Sequence, residues 1–291
     1  MMAKTNNVLC SSCGKRVATY YRLTSGEKLC RLCLFNSVAK QVRRTSHYYK
    51  MFRKNEKVIF AIRGDDIALS LESFFVLNNA MKDFDLEYKI LCPNNLIDCR
   101  IVEEEARKHV KNGLEIYEVN YPVDIISKSI VYMVKYIDAY AAKIALENHV
   151  EYVVSLLFRD EISMILMLGL LLISKTVFGE GMPIKYVENV KIVRPFYNVL
   201  SHDILYLAYS SQEILKMDNS TNSVKVNVDG YIKKAYSILT RSPELMYSSS
   251  KSIEMLQSFI ISKPSRCHLC GSFSDENVCE YCKVFAHIIR G

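Results

Sequence analysis

From position 58 onward the chain alternates between two hydrophobic periods. Val58-Ile59-Phe60-Ala61-Ile62 is a short unbroken apolar run, the pattern of a strand buried on both faces. After the polar Arg63-Gly64-Asp65-Asp66, the residues Ile67, Leu71, Phe74, Phe75 and Leu77 recur at the spacing of one helix face, which predicts a helix over 67–81. The alternation then repeats. It predicts strands at 87–91, 115–119 and 152–157, and helices over 98–112, within 123–148 and over 161–174. Such a pattern predicts an α/β fold, a doubly wound parallel sheet with helices on both faces. Ligands of these sheets sit beyond the carboxyl ends of the strands, so loops 63–66 and 158–161 are expected to border the crevice. The apolar run 162–173, interrupted only by Ser163 and Gly169, is shorter than the roughly 20 residues that span a bilayer. It is expected to be a buried core helix. The first residues, Met-Met-Ala-Lys-Thr-Asn-Asn, carry no apolar signal region, and a cytoplasmic protein with no membrane partner is expected.

Composition refines this picture only a little. The chain has 291 residues, 50% hydrophobic and 24% charged, which excludes a disordered or low-complexity chain and allows two domains or one large domain with small modules. Charge is more telling. The first 57 residues hold 13 Lys and Arg against 2 Asp and Glu, whereas the remainder is slightly acidic. A basic end on a near-neutral body points to a polyanion, and nucleic acid is the favoured partner. Residues 34–57 read as a basic helix with His47, Tyr48, Tyr49 and Phe52 among its cations; these rings could stack on bases or pack on the core.

Cysteine spacing carries the strongest chemical signal. Eight of the 10 cysteines form four CxxC pairs: Cys10/Cys13 with Cys30/Cys33, and Cys267/Cys270 with Cys279/Cys282. Each CxxC turn sets two thiolates on one side of an ion, and two turns close a tetrahedral site, as in zinc ribbons and knuckles. Gly14 and Gly271 follow the second cysteine of a pair, where the turn favours a residue of positive φ. Four thiolates leave no open coordination position, so two structural zinc ions are expected rather than catalytic metal. Disulfides are not expected in a cytosolic chain. Cys92 and Cys99 lack a partner motif and read as small buried hydrophobes. His268, between two expected zinc ligands, and His202-Asp203, at an expected helix start, read as surface or cap residues. The chain is thus divided into an N-terminal zinc module and basic helix (1–50), an α/β core (51–250) and a C-terminal zinc module (251–291).

These parts, in this order, resemble the tRNA 2-thiolation enzymes, a branch of the PP-loop ATP pyrophosphatases with the adenine nucleotide alpha-hydrolase fold. "CSSCGKRVATYYRLTSGEKLCRLC" is similar to the family's opening and "CHLCGSFSDENVCEYC" to its close. "VENVKIVRPFYNVLSHDILYLAYSS" is similar to the stretch that places an Arg-Pro before a helix with an acidic start, here Arg194, Pro195 and Asp203. The active-site motifs depart from the family. Its Ser-Gly-Gly-Lys-Asp-Ser loop is replaced by Arg63-Gly64-Asp65-Asp66-Ile67-Ala68, in which only Gly64 matches. Asp65 and Asp66 then stand where a polyphosphate would sit and would repel it unless a metal lay between; carboxylates with phosphate oxygens are also how Mg²⁺ is held. The family's Gly-His-Asn-Leu-Asp-Asp aligns with Leu156 to Glu161 and keeps only the acidic pair Asp160 and Glu161. No cysteine lies between Arg100 and Arg266, where the family carries its sulfur-transfer or cluster-ligating cysteines.

The resemblance therefore implies a non-catalytic paralogue with a vestigial nucleotide loop (Arg63, Gly64, Asp65, Asp66, Asp160, Glu161). It would bind tRNA, an active homologue as a heterodimer, or a second copy of itself. Lys15, Arg16, Arg22, Lys28, Arg31, Arg43, Arg44, Arg53 and Lys54 would contact RNA. Two alternatives stand beside it: a divergent ATP-dependent tRNA sulfurtransferase with a rebuilt acidic Mg-ATP site, and a zinc-ribbon factor that binds RNA or protein outside thiolation.

Overall fold

The computed structural model describes residues 8–110, 113–211, 214, 223–227, 237, 244, 248, 251, 255 and 265–290. A small hairpin, β1 (Tyr20–Tyr21) and β2 (Lys28–Leu29), opens the chain and leads into helix α1 (Arg31–Tyr48). The core then alternates as its periodicity predicts: β3 (Lys57–Ala61), α2 (Ile67–Ala80), β4 (Glu87–Pro93), α3 (Cys99–His109), β5 (Leu114–Val119), α4 (Val123–Ile126), α5 (Ile130–Glu147), β6 (Tyr152–Val154) and α6 (Arg159–Leu171). Short turns, α7 (Lys175–Phe178) and a 3₁₀ turn (Gly179–Gly181), precede the hairpin β7 (Ile184–Val187) and β8 (Val190–Val193), and α8 (Ser201–Tyr209) follows.

The sheet has six strands in the order β5-β4-β3-β6-β8-β7. All neighbours are parallel except β7 against β8. The order reverses direction between β3 and β6, so the crevice expected of such folds opens between the ends of these two strands. Residues 58–61 of β3 are almost wholly inaccessible, as a central strand covered on both faces requires. Phe60 of β3 and Tyr88 of β4 both meet Phe74 of α2 edge-on, at ring separations of 5.2 and 5.1 Å. Helix α2 is buried nearly all round because α1 and α8 pack over it.

Four expectations are corrected. The basic helix ends at Tyr48, not at 57: Lys50 and Asn55 take positive φ, and the intervening chain turns to enter β3. The antiparallel edge strand β7 was not foreseen. The run 162–173 is buried only through Gly169. Leu170, Leu171, Leu172 and Ile173 reach solvent, Ile173 at 91% exposure, because α6 extends beyond the body that covers its start. Cys92 and Cys99 are buried but joined in a disulfide that ties the end of β4 to the start of α3. A spacing of seven residues gave no motif; only the turn after β4 brings the two together. Among the described residues, no helix is long and apolar enough to cross a membrane.

Candidate metal centres and nucleotide loop

The N-terminal cysteine cluster is built by two knuckles. In the first, Gly14 takes φ +62° and its N–H donates to the Cys10 carbonyl at 2.8 Å. In the second, Cys30 is the residue that precedes α1 and its carbonyl accepts from Leu34. The Ser11 N–H donates to the Lys28 carbonyl at 2.8 Å and holds the knuckles together. Cys10, Cys13, Cys30 and Cys33 then bring their sulfurs within 4.8 Å of one another, with no disulfide among them. Burial pushes the Cys10 thiol up, but backbone N–H groups of Cys30, Cys13 and Ser12 outweigh it and bring the thiol to about 6.

The C-terminal cluster repeats the design. Gly271 has φ +70° and donates to the Cys267 carbonyl at 2.9 Å; a Cβ there would lie 2.4 Å from the Tyr186 carbonyl oxygen, so only glycine fits. Sulfurs of Cys267, Cys270, Cys279 and Cys282 again lie within 4.8 Å of one another, with Cys270 and Cys279 at 3.9 Å. A tetrahedral ion with metal–sulfur bonds of about 2.3 Å sets its sulfurs about 3.8 Å apart, so both clusters fit one ion of that kind. A four-iron cubane would spread its cysteine sulfurs wider.

Both clusters are fastened to the core by charge. Asp203, on the first turn of α8, accepts from the Tyr20 hydroxyl at 2.6 Å and pairs with Arg22 at 3.1 Å. Asp203 is buried, so its expected role as a cap or surface residue is corrected: it anchors the N-terminal module. His202 and His268 are exposed, as expected. Below the C-terminal cluster lies a fully buried set of charges on α5, the 3₁₀ turn, β7 and the end of β8. Glu180 accepts from Lys135 at 2.8 Å, Lys185 at 2.7 Å and Arg194 at 2.8 Å, and Asp138 accepts from Lys185 at 2.7 Å. Lys135 also points its ammonium at the Cys270 sulfur, 3.7 Å away. Burial alone would lower Lys135, yet the charges of Cys270 and Glu180 hold it well above the ordinary lysine value. Of this set only Arg194 was singled out in the sequence. Lys135 and Asp138 interrupt the apolar first half of α5 three residues apart, a signal that could have marked them.

The nucleotide loop is filled by its own side chains. Arg63 lies at the carboxyl end of β3 and is buried. Its guanidinium grips Asp65 with two bonds of 2.8 and 2.5 Å, donates to Glu161 at 2.8 Å, and reaches the Leu156 carbonyl at 3.3 Å. Burial would lower Arg63, but Asp65 and Glu161 hold it above even the usual arginine range. Asp66 caps α2, its Oδ1 accepting the Leu69 N–H at 2.8 Å. The expectation of two bare carboxylates facing a phosphate is thus corrected: Asp65 is neutralised by Arg63 and Asp66 faces the helix. Asp160 turns away and accepts from the Ser201 N–H at 2.9 Å and its hydroxyl at 2.5 Å, tying α6 to α8. Glu161 also accepts the Phe158 N–H at 3.0 Å. Gly64 sits under Leu96 and Ile126, which a Cβ would approach to 2.8 and 3.0 Å, and its carbonyl accepts from Val224 at 2.7 Å. Chain therefore covers the loop from above.

The nine cations expected to meet RNA separate into two groups. Lys15, Lys28, Arg44, Arg53 and Lys54 are exposed, as is Arg43, which pairs with Asp83. Arg22 is buried against Asp203, Glu27 and Ser37, and is corrected to a structural residue. Arg16 donates to the Cys30 sulfur at 3.2 Å. Arg31 is half-buried and bonded to Ser210 and the Leu207 carbonyl, at 3.0 and 3.4 Å.

No family model matches the chain. A stretch of 124 residues, 42% of the chain, is 29% identical to cytoplasmic tRNA 2-thiolation protein 1 of Drosophila virilis. Over that stretch the chain is similar to a tRNA 2-thiolation protein. The match spans about a third of that relative's own length (34%). The fold agrees over a wider span: U34-tRNA thiolase NcsA from Methanococcus maripaludis, solved with its [4Fe-4S] cluster, superposes with a TM-score of 0.65 over 96% of each chain, at 16% identity. The PP-loop-like α/β fold is shared across that whole length.

Proposed function

We propose that this chain is a tRNA-binding, non-catalytic relative of the tRNA 2-thiolation enzymes that works beside a catalytically competent homologue. One observation carries the reading: the guanidinium of Arg63, clamped by Asp65 and Glu161, fills the loop where a nucleotide phosphate would be held. In an active loop of this kind, free backbone N–H groups and hydroxyls at a helix start receive the anion. Here the cap of α2 is taken by Asp66 and the second glycine is absent. Mg²⁺ would have to break the Asp65–Arg63 pair to gain a ligand, which argues against the rebuilt Mg-ATP site. The two cysteine clusters would each hold one structural zinc ion. Each would keep its module folded and present the exposed cations around it to RNA.

Calorimetry with Mg-ATP on zinc-loaded, nucleic-acid-free protein is expected to give no heat; micromolar binding would overturn the non-catalytic reading. The same protein is expected to bind tRNA with a steep salt response. About six phosphate contacts correspond to a loss on the order of a thousandfold between roughly 50 and 200 mM salt. A flat salt response would remove the tRNA reading and leave a zinc-module factor with a protein partner, which copurification would identify.

A further inference from the structure

The sheet's amino-terminal edge, opposite the nucleotide loop, holds a recess that the reading above does not use. Its volume is about 460 Å³, and it lies between the end of α1 and the β7–β8 hairpin, beside the start of β6. Three cations converge on it: Lys50, Arg53 and Lys191. Among the described residues none of the three makes an ion pair; Glu151 is the one carboxylate in the wall, and Glu56 lies close enough to act with it on the Tyr152 hydroxyl. Lys50 takes φ +50°, and this left-handed turn presents its carbonyl to the Lys191 ammonium at 2.5 Å. Lys191 is thereby held over the Tyr152 ring, 6.0 Å from its centre. Burial, and then the charge of Arg53, lower Lys191 below the ordinary lysine value, so the cations are crowded. Tyr186, on the edge strand, stands in the same wall with 47% of its surface in solvent.

Crowded cations that outnumber the carboxylate beside them, next to an exposed ring, are the two halves of a single-stranded nucleic acid site: charge for the backbone and a face for the base. We propose that this recess binds one nucleotide step of single-stranded RNA, its phosphate among Lys50, Arg53 and Lys191 and its base against Tyr186. The inference rests on the tRNA-binding reading and adds to it a second contact, on the face away from the nucleotide loop. Arg53 already belongs to the basic end of the chain. Lys191 and Tyr186, far along the sequence, come to it only through the pairing of β6 with β8 and β8 with β7.

The test uses the full zinc-loaded chain and fluorescence anisotropy with labelled tRNA and a labelled single-stranded oligoribonucleotide. Tyr186→Ala is expected to weaken the oligonucleotide about fivefold or more, the scale of one lost stacking contact, while Tyr186→Phe keeps the ring and the affinity. Lys50→Gln with Arg53→Gln, both exposed, is expected to reduce the salt slope for single-stranded RNA by about 1.4. Lys15→Gln with Lys28→Gln tests the N-terminal module independently. If tRNA binding depends on the N-terminal pair but not on the recess variants, the inference is overturned and the tRNA reading stands. Heparin binding as tight as RNA and indifferent to Tyr186→Ala would also overturn it, because only charge would then be recognised. Absence of RNA binding by the wild-type chain at low salt removes both.

Discussion

Arg63 shows how one residue can change the chemistry of a loop. At the end of β3 it brings a buried positive charge to the loop beyond the sheet, and the neighbouring acids close on it. Arg63→Met is expected to destabilise the protein by about 3–5 kcal/mol, the cost of stranding buried carboxylates, read as a shift in the denaturation midpoint. Asp66→Ala removes the side-chain cap of α2, for which a loss of about 1 kcal/mol is expected. Neither variant is expected to restore nucleotide binding by calorimetry, because each removes a charge without supplying the missing phosphate donors. Tyr20 and Arg22 make the same point from the other side. Both sit in the basic N-terminal region, yet Asp203 turns them inward, and Arg22 is spent on holding the module rather than on a ligand.

Among the elements, α5 links the sheet to the C-terminal module. Lys135 and Asp138 project from it into the buried charge set, and Lys135 touches the Cys270 sulfur as well. A metal ion with four thiolates carries excess negative charge, and a buried ammonium beside it offsets part of that charge. Glu180→Gln would leave Lys185 and Arg194 with Asp138 as their carboxylate and take the carboxylate partner from Lys135, and a loss of about 3–5 kcal/mol is expected. The dependence on pH has a definite sign. Burial would raise Glu180, but Lys135, Lys185 and Arg194 outweigh it and lower it from 4.5 to about 2. A depressed carboxylate stabilises the fold fully above its unfolded value and less as pH falls toward its folded one. The stability difference between wild type and Glu180→Gln is therefore expected to be constant above about pH 5 and to shrink between roughly pH 4.5 and 2. A difference that grew on acidification would contradict this assignment.

For the whole molecule, charge ties each cysteine module to the body, through Asp203 at one end and Lys135 at the other, and a disulfide ties β4 to α3. Chelation is expected to release two zinc ions per chain and to lower the melting temperature; Cys270→Ser is expected to leave one, counted by metal analysis. The disulfide acts separately. Cys92 and Cys99 close a loop of seven residues' separation, and reduction is expected to cost about 2–3 kcal/mol without releasing metal. Denaturation with a thiol reductant, compared with and without chelator, separates the two effects. The last residues of α6 and the two that follow, Leu170 to Ile173, form an exposed apolar run apart from these links.

Several features were legible in the chain itself because they depend on local rules. The period of apolar residues from Val58 onward determined the alternation of strand and helix, and CxxC spacing determined the two metal clusters, since a knuckle is closed by its own backbone. The stretch from Arg63 to Ala68 also showed in the chain alone that it departs from the Ser-Gly-Gly-Lys-Asp-Ser pattern. Tertiary structure decided what those side chains do instead. Arg63 meets Glu161 only because β3 and β6 lie side by side, and Arg22 is turned inward only because α8 carries Asp203 to it. The pairing of Cys92 with Cys99, the five-residue charge set and the recess at Lys191 all join residues through the fold. Periodicity reports which face of an element is covered; the partner that covers it, and the charge waiting there, are set by how the elements pack.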